Sequence, residues 1–163
     1  MKEHDKRNLI TDVSGIKVGN ASDFDALTGV TVVLPDQRSV GAVDVRGGAP
    51  GTRETEALSP STLVDRVDAI VLSGGSAFGL DAASGVTEWL AKAGKGFAVG
   101  KIRVPVVPSA ILFDLSVKEG QLTKIGYHAL GVKACTRADH HFDLGNYGAG
   151  TGAVAGNIKG GLG

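Results

Sequence analysis

Two glycine-rich segments hold the residues of this chain whose types and spacing suit chemistry. The first is Ser73-Gly74-Gly75-Ser76-Ala77-Phe78-Gly79. Bare backbone N–H groups at a helix start can face a carbonyl, a carboxylate or a phosphate. The same glycines equally suit a tight turn and close helix–sheet packing, with Ser76 as N-cap. Two named motifs are absent. A nucleophile elbow needs glycine two residues after Ser76, where Phe78 stands. A phosphate loop needs Gly-Lys-Ser/Thr after four spacers, and no such string occurs. The second segment runs from Gly145-Asn146-Tyr147-Gly148-Ala149-Gly150-Thr151-Gly152 to Gly156-Asn157-Ile158-Lys159-Gly160-Gly161-Leu162-Gly163. Here glycine lets backbone approach a reacting centre, and Asn157 or Lys159 supplies a donor or a charge. A glycine-packed strand pair with a surface lysine explains the same residues.

Other polar clusters read as structure. Asp139-His140-His141-Phe142-Asp143 offers metal-binding side chains, but neighbouring histidines on extended backbone point apart, so a solvated loop fits better. His4 and His128 complete no ligand spacing. Arg46 and Arg53, around Gly47-Gly48-Ala49-Pro50-Gly51, suit surface or structural ion pairs.

The elements that must position these residues follow from hydrophobic pattern. Gly15–Gly19 and Gly29–Pro35 read as strands, and Ser39–Arg46 as a further strand forming a hairpin with the second. Glu54–Arg66 is a loop with a helical turn at Ser59-Pro60. Ala69-Ile70-Val71-Leu72 is a continuous apolar run, expected to be a strand buried on both faces. After the glycine turn, Phe78, Ala82, Val86, Trp89 or Leu90, and Ala93 recur at helical spacing, and Gly94 ends the helix. Phe97–Val107 is extended and Ala110–Leu115 is a short apolar run. Leu122, Ile125, Ala129, Leu130 and Lys133 suggest a second helix ending near Cys135. The tail from Gly148 carries too much glycine for a secure strand.

Composition bounds the function. The 163 residues, 42% hydrophobic and 21% charged, suit one domain or half of a larger one. Seventeen basic residues balance seventeen acidic ones, so no electrostatic footprint for nucleic acid or an anionic membrane follows. No apolar stretch approaches the roughly 20 residues that span a bilayer. Met1–Asn8 is a polar arm without the apolar core of a secretion signal. A single cysteine, Cys135, leaves no internal disulfide and no cysteine-rich zinc site. A cytoplasmic protein without cofactor or metal is the expectation. Glycine, 25 residues, is about twice its usual ~7%. Eight glycines fall in Gly145–Gly163, and a chain stopping there reads as part of a larger domain.

Six strings together are more specific. They are Asn8–Val13, Gly29–Val33, Asp44–Glu54, Ser73–Leu80, Val107–Asp114 and Gly148–Gly152. Their order resembles the self-processing peptidase family S58. That family holds L-aminopeptidase/D-amidase/esterases, β-peptidyl aminopeptidases and nylon-oligomer hydrolases. The resemblance implies an α+β fold: a four-layer αββα sandwich similar in layers to N-terminal-nucleophile hydrolases, of which residues 9–163 would form the α-chain portion. It implies a precursor that cuts itself before a Ser or Thr, which becomes nucleophile at the N-terminus of a β chain, its freed amine acting as base.

The family's nucleophile lies beyond the matched strings, so this chain alone should be inactive and should pair with a β chain and assemble into a homo-oligomer of α/β units. The nylon-hydrolase branch places a catalytic-site lysine in a string like the one here, which falls on Asn157 or Lys159 depending on one small gap, Lys159 being favoured because a lysine near the nucleophile can tune its protonation. Ser73, Gly74, Gly75, Ser76 and Phe78, with Ser109, Ala110 and Ile111, would line a pocket for a peptide or small amide. The tyrosine some aminopeptidases place near the oxyanion has no counterpart after Pro105. Two alternatives stand beside this reading: a non-catalytic α/β small-ligand-binding domain, and an acyltransferase of the related ornithine-acetyltransferase fold.

Overall fold

The computed structural model describes residues 7–116 and 125–163. Strands β1 (Ile16–Asp23) and β2 (Thr28–Pro35) form a hairpin in register from Ile16 opposite Pro35 to Asp23 opposite Thr28. The Asp23 carboxylate accepts the Ala26 N–H at 2.9 Å and turns the chain between them. On β2, Val30, Val32 and Leu34 alternate onto one face and are buried. Antiparallel to β2 lies β4 (Ile70–Ser73), which is parallel to β7 (Ser109–Ile111); the two-residue β3 (Thr52–Arg53) closes that edge. The sheet order is β1-β2-β4-β7-β3. Two small hairpins stand apart: β5 (Phe97–Val99) with β6 (Ile102–Val104), and β8 (Val154–Ala155) with β9 (Ile158–Lys159).

Helices α1 (Asp81–Lys92) and α2 (Tyr127–Thr136) cover one face of the sheet. Ala82, Val86 and Leu90 meet Val30, Val32, Val71, Ala134 and Cys135 in a single core. Each large aliphatic side chain among them contributes about 1.5–3 kcal/mol by leaving water. The helices touch through glycine: Gly85 lies on the His128 backbone and Gly131 on the Ala82 backbone. The opposite face of β2 is covered at Thr31 by the 3-10 turn Gly148–Gly150, whose Ala149 N–H donates to Thr31 Oγ1 at 2.9 Å. No described helix is long and apolar enough to cross a membrane.

Several expectations are corrected. Ser39–Arg46 is not a strand paired with β2, because β1 and β4 already occupy both edges of β2; only Ser39 makes a bridge, to Val67. Strand β4 is buried on one face rather than both, with Val71 fully buried and Ile70 39% exposed. Phe78 precedes α1 in the 3-10 turn Ser76–Leu80 and is exposed, so it is no part of the helix's core stripe. Ser76 caps nothing with its side chain. The tail does form a strand pair. Helix α2 ends beside Cys135 as expected; Leu122 lies outside the described residues, as does the arm up to residue 6.

Candidate functional site

Strands β4 and β7 run parallel and end side by side, with Ser73 beside Ile111. Beyond β4 the backbone passes through two consecutive left-handed residues, Gly75 at φ +84° and Ser76 at φ +52°. Such a conformation at a non-glycine residue is strained by about 1–3 kcal/mol and persists only where surroundings over-determine it. Three hydrogen bonds do so. Gly74 N–H donates to Gly29 O at 2.9 Å and Ser76 N–H to Leu112 O at 3.0 Å. Gly75 N–H donates to Asp114 Oδ1 at 2.6 Å.

Asp114 is buried. Its other oxygen accepts the Thr28 hydroxyl at 2.6 Å, and Thr28 lies 3.3 Å from the Tyr127 hydroxyl. Burial pushes the Tyr127 phenol above its ordinary value, the Asp114 and Asp23 charges push the same way, and the Thr28 contact opposes them. Tyr127 therefore keeps its proton and directs it to Thr28, which directs its own to Asp114. Glycine is required above this trio. A Cβ on Gly74 would lie 2.9 Å from Asp114 Cγ, and one on Gly75 2.7 Å from Tyr127 Cε2.

The amides of Gly74, Gly75 and Ser76 are thus used within the fold. What the turn leaves accessible is the half-buried Ser76 and the exposed Ala77 and Phe78. Ser73 is fully buried and its hydroxyl donates to Gly74 O at 3.0 Å. Ser109 is also buried, its hydroxyl without a partner among the described residues, while Ala110 and Ile111 are half-buried.

The second glycine segment passes close to Asp114, with Gly152 packed first on the Leu27 backbone carbonyl. A Cβ on Gly152 would stand 3.0 Å from Asp114 Cβ. Two residues earlier, Gly150 O accepts the Lys159 ammonium at 2.9 Å, and Gly160 O accepts it at 2.6 Å. Lys159 is exposed but tethered to backbone, and Asn157 is exposed at the β8–β9 turn. Asp114 bonds the glycine turn and lies beside Gly152, while Lys159 is held by backbone carbonyls of its own segment. Asn157 bonds to neither among the described residues.

The remaining candidates lie away from the glycine turn and the β8–β9 hairpin. Arg53 donates to Ser84 Oγ on α1 at 2.7 Å, and Arg46 pairs with Asp44 at 2.6 Å in solvent. His140 and His141 are exposed, and the Asp139 carboxyl is held below its ordinary value chiefly by the His140 N–H. Burial pushes the Cys135 thiol up to about 12, which leaves it unreactive near neutrality. Three surface clefts of about 220, 260 and 280 Å³ are lined by other residues than those of the glycine turn, the β7 end or the β8–β9 hairpin.

Residues 8–163 match the family model of Peptidase family S58, nearly the whole chain. This chain belongs to peptidase family S58. Among relatives of the S58 chain, an "uncharacterized aminopeptidase" of Mycobacterium tuberculosis (strain ATCC 25618 / H37Rv) is 47% identical over 164 residues, covering 96% of this chain and 47% of the relative. A 6-aminohexanoate-oligomer endohydrolase of Kocuria sp. (strain KY2) is 32% identical over 154 residues, covering 94% of this chain and 40% of the relative. The chain spans less than half the length of these curated relatives. Among solved structures, the L-aminopeptidase D-Ala-esterase/amidase of Ochrobactrum anthropi, described as a variant of the Ntn-hydrolase fold, superposes with TM-score 0.73 at 18% identity, over 93% of this chain and 46% of that one. The S58 chain therefore has the expected fold class, with two helices on one face of its five-stranded sheet.

Sequence reasoning missed three members of the S58 chain's inner network: Asp114, Thr28 and Tyr127. Asp114 carried a signal, the one charged residue inside the apolar run Ala110–Leu115. Nothing in the local pattern singled out Thr28 or Tyr127.

Proposed function

We propose that this S58 chain is the N-terminal, α portion of an amide-bond hydrolase of the aminopeptidase/amidase type. The rest of the polypeptide supplies a Ser or Thr nucleophile, exposed by self-cleavage. In that reaction the freed α-amine takes the hydroxyl proton as the oxygen attacks the amide carbon. The proton passes to the departing amine, and water then hydrolyses the acyl ester and restores the hydroxyl. This chain contributes a pocket wall from Ser76, Phe78 and the end of β7. Lys159 contributes a cation near the nucleophile that tunes its protonation. The chain acts with its β chain, in an oligomer, in the cytoplasm, and is inactive by itself.

The observation that carries this reading is the S58 match through residues 8–163, which contains both glycine segments in order. Exposed apolar side chains, among them Val40, Leu63, Phe113 and Ile158, suit a scaffold that docks a second piece. The ligand-binding alternative is weakened, because the amides it needs are bonded internally. No described feature favours the acyltransferase alternative.

The test is expression of the full-length gene product. Denaturing intact mass should show two chains, and the protein should hydrolyse aminoacyl p-nitroanilides, β-peptides or 6-aminohexanoate oligomers. A Lys159→Met variant should lose at least tenfold in kcat. One uncut polypeptide with full amidase activity would refute self-processing, and absence of hydrolysis on all three substrate classes would refute the enzymatic reading.

A further inference from the structure

We infer that Asp114 is a positioning residue for the hydrolytic site, acting through the Gly75–Ser76 turn, with Thr28 holding it in place. The inference rests on the proposed hydrolase reading and goes beyond it by assigning a control point within this chain. Three observations carry it. The Asp114 carboxylate is buried, and its two recorded bonds go to Gly75 N–H and Thr28 Oγ1, each at 2.6 Å. The residues it restrains are the one pair of consecutive left-handed residues among the described backbone. Its β-carbon also lies beside Gly152, which packs first on the Leu27 carbonyl, so Asp114 has no room to shift on that side.

A carboxylate at this point does what an amide cannot. Both of its oxygens accept, so it takes the amide of Gly75 and the hydroxyl of Thr28 together. An asparagine keeps the shape but turns one acceptor into a donor that faces another donor. The strained turn then loses a charge-assisted bond and relaxes, and Ser76 and Phe78 move with it. In the proposed reaction the nucleophile comes from the rest of the polypeptide, and the bonds of Asp114 go to Gly75 and Thr28. Substrate binding should therefore suffer while the chemical step survives.

The experiment uses the full-length protein with an aminoacyl p-nitroanilide that the unmodified enzyme cleaves. Asp114→Asn should raise KM at least tenfold with kcat within threefold. Thr28→Val should raise KM by a smaller factor, and Thr28→Ser, which keeps the hydroxyl, should restore the parent value. Amide hydrogen exchange at Gly75 should accelerate in Asp114→Asn and in Thr28→Val, but not in Thr28→Ser. Should Asp114→Asn fail to fold, the Thr28 pair decides. A lowered melting temperature with both kinetic constants unchanged would leave Asp114 a purely structural residue and overturn the inference. So would a fall in kcat at constant KM. If the unmodified enzyme cleaves no amide, the hydrolase reading fails and takes this inference with it; if it does and the variants match it, only the inference fails.

Discussion

Gly85→Ala separates helix propensity from packing, because the two predict opposite signs. In an exposed helix interior the change stabilises by about 1 kcal/mol. Here Gly85 faces α2, and a Cβ would lie 3.0 Å from the His128 carbonyl carbon and nearer still to its oxygen. The obstacle is backbone, so no rotamer change relieves it. The helices must part by about 1 Å, loosening close-packed contacts around the buried Ala82, Val86 and Ala134. Overpacking of this kind costs about 1–3 kcal/mol, and an immovable neighbour places it at the upper end. Subtracting the propensity gain leaves a net loss of about 2 kcal/mol, or about 4–8 °C in Tm for a domain of this size. The reciprocal change, Gly131→Ala, meets the Ala82 backbone and should behave alike. Gly126→Ala is the control: its φ is −83° and among the described residues a Cβ there would come no nearer than 3.7 Å, to Ala129 Cβ, so only the loss of a glycine N-cap, about 0.5–1 kcal/mol, is expected. Thermal and urea unfolding of the three variants in the full-length protein decide the matter. A Gly85→Ala protein as stable as its parent would refute the close helix contact and the α1–α2 geometry with it.

Further outcomes follow from individual groups. Leu90 is fully buried, so Leu90→Ala should cost about 2–5 kcal/mol in urea unfolding, with the m-value unchanged. Asp68 is buried between Arg38 at 3.1 Å and the Val106 N–H at 2.9 Å; Asp68→Ala strands both donors and should cost about 2–4 kcal/mol, whereas removing the exposed Lys92–Glu88 pair should leave the unfolding midpoint nearly unchanged. The Cys135 thiol holds its proton more tightly folded than unfolded, so stability is intact below its ordinary value near 9 and is lost at about 1.4 kcal/mol per pH unit as pH rises toward about 12. Urea unfolding at pH 8 and pH 11 should show that slope reduced by one proton in Cys135→Ala, and equal slopes would refute the burial-driven shift. In the native protein Cys135 should resist iodoacetamide at pH 8 and react once unfolded.

Local pattern was enough for some of this protein. The β-branched run of β2, the apolar β4, the glycine turn and the 3.6-residue spacing of Ala82, Val86 and Leu90 are signals that depend on neighbours in the chain, and each appears where the residues put it. So does the helix stop at Gly94, where φ reaches +71°. The order of six short strings was enough to name a family. Pairing was not legible. Ser39–Arg46 has strand composition, yet it stays outside the sheet because β2 had no free edge to offer it.

The site divides in the same way. Glycine content marked both segments, but their meaning came from partners distant in the chain. Asp114 lies 39 residues from Gly75 and 86 from Thr28. No spacing rule joins such positions; only the sheet order, which sets β7 beside β4 and β4 beside β2, does so. Residue type and order thus determined the elements and the family, because propensity, period and motif act over a few neighbours. The tertiary structure alone decided which amides are already bonded, which glycines clear a side chain, and which carboxylate sits beneath the turn, because burial and hydrogen bonding are settled by what the rest of the chain brings alongside.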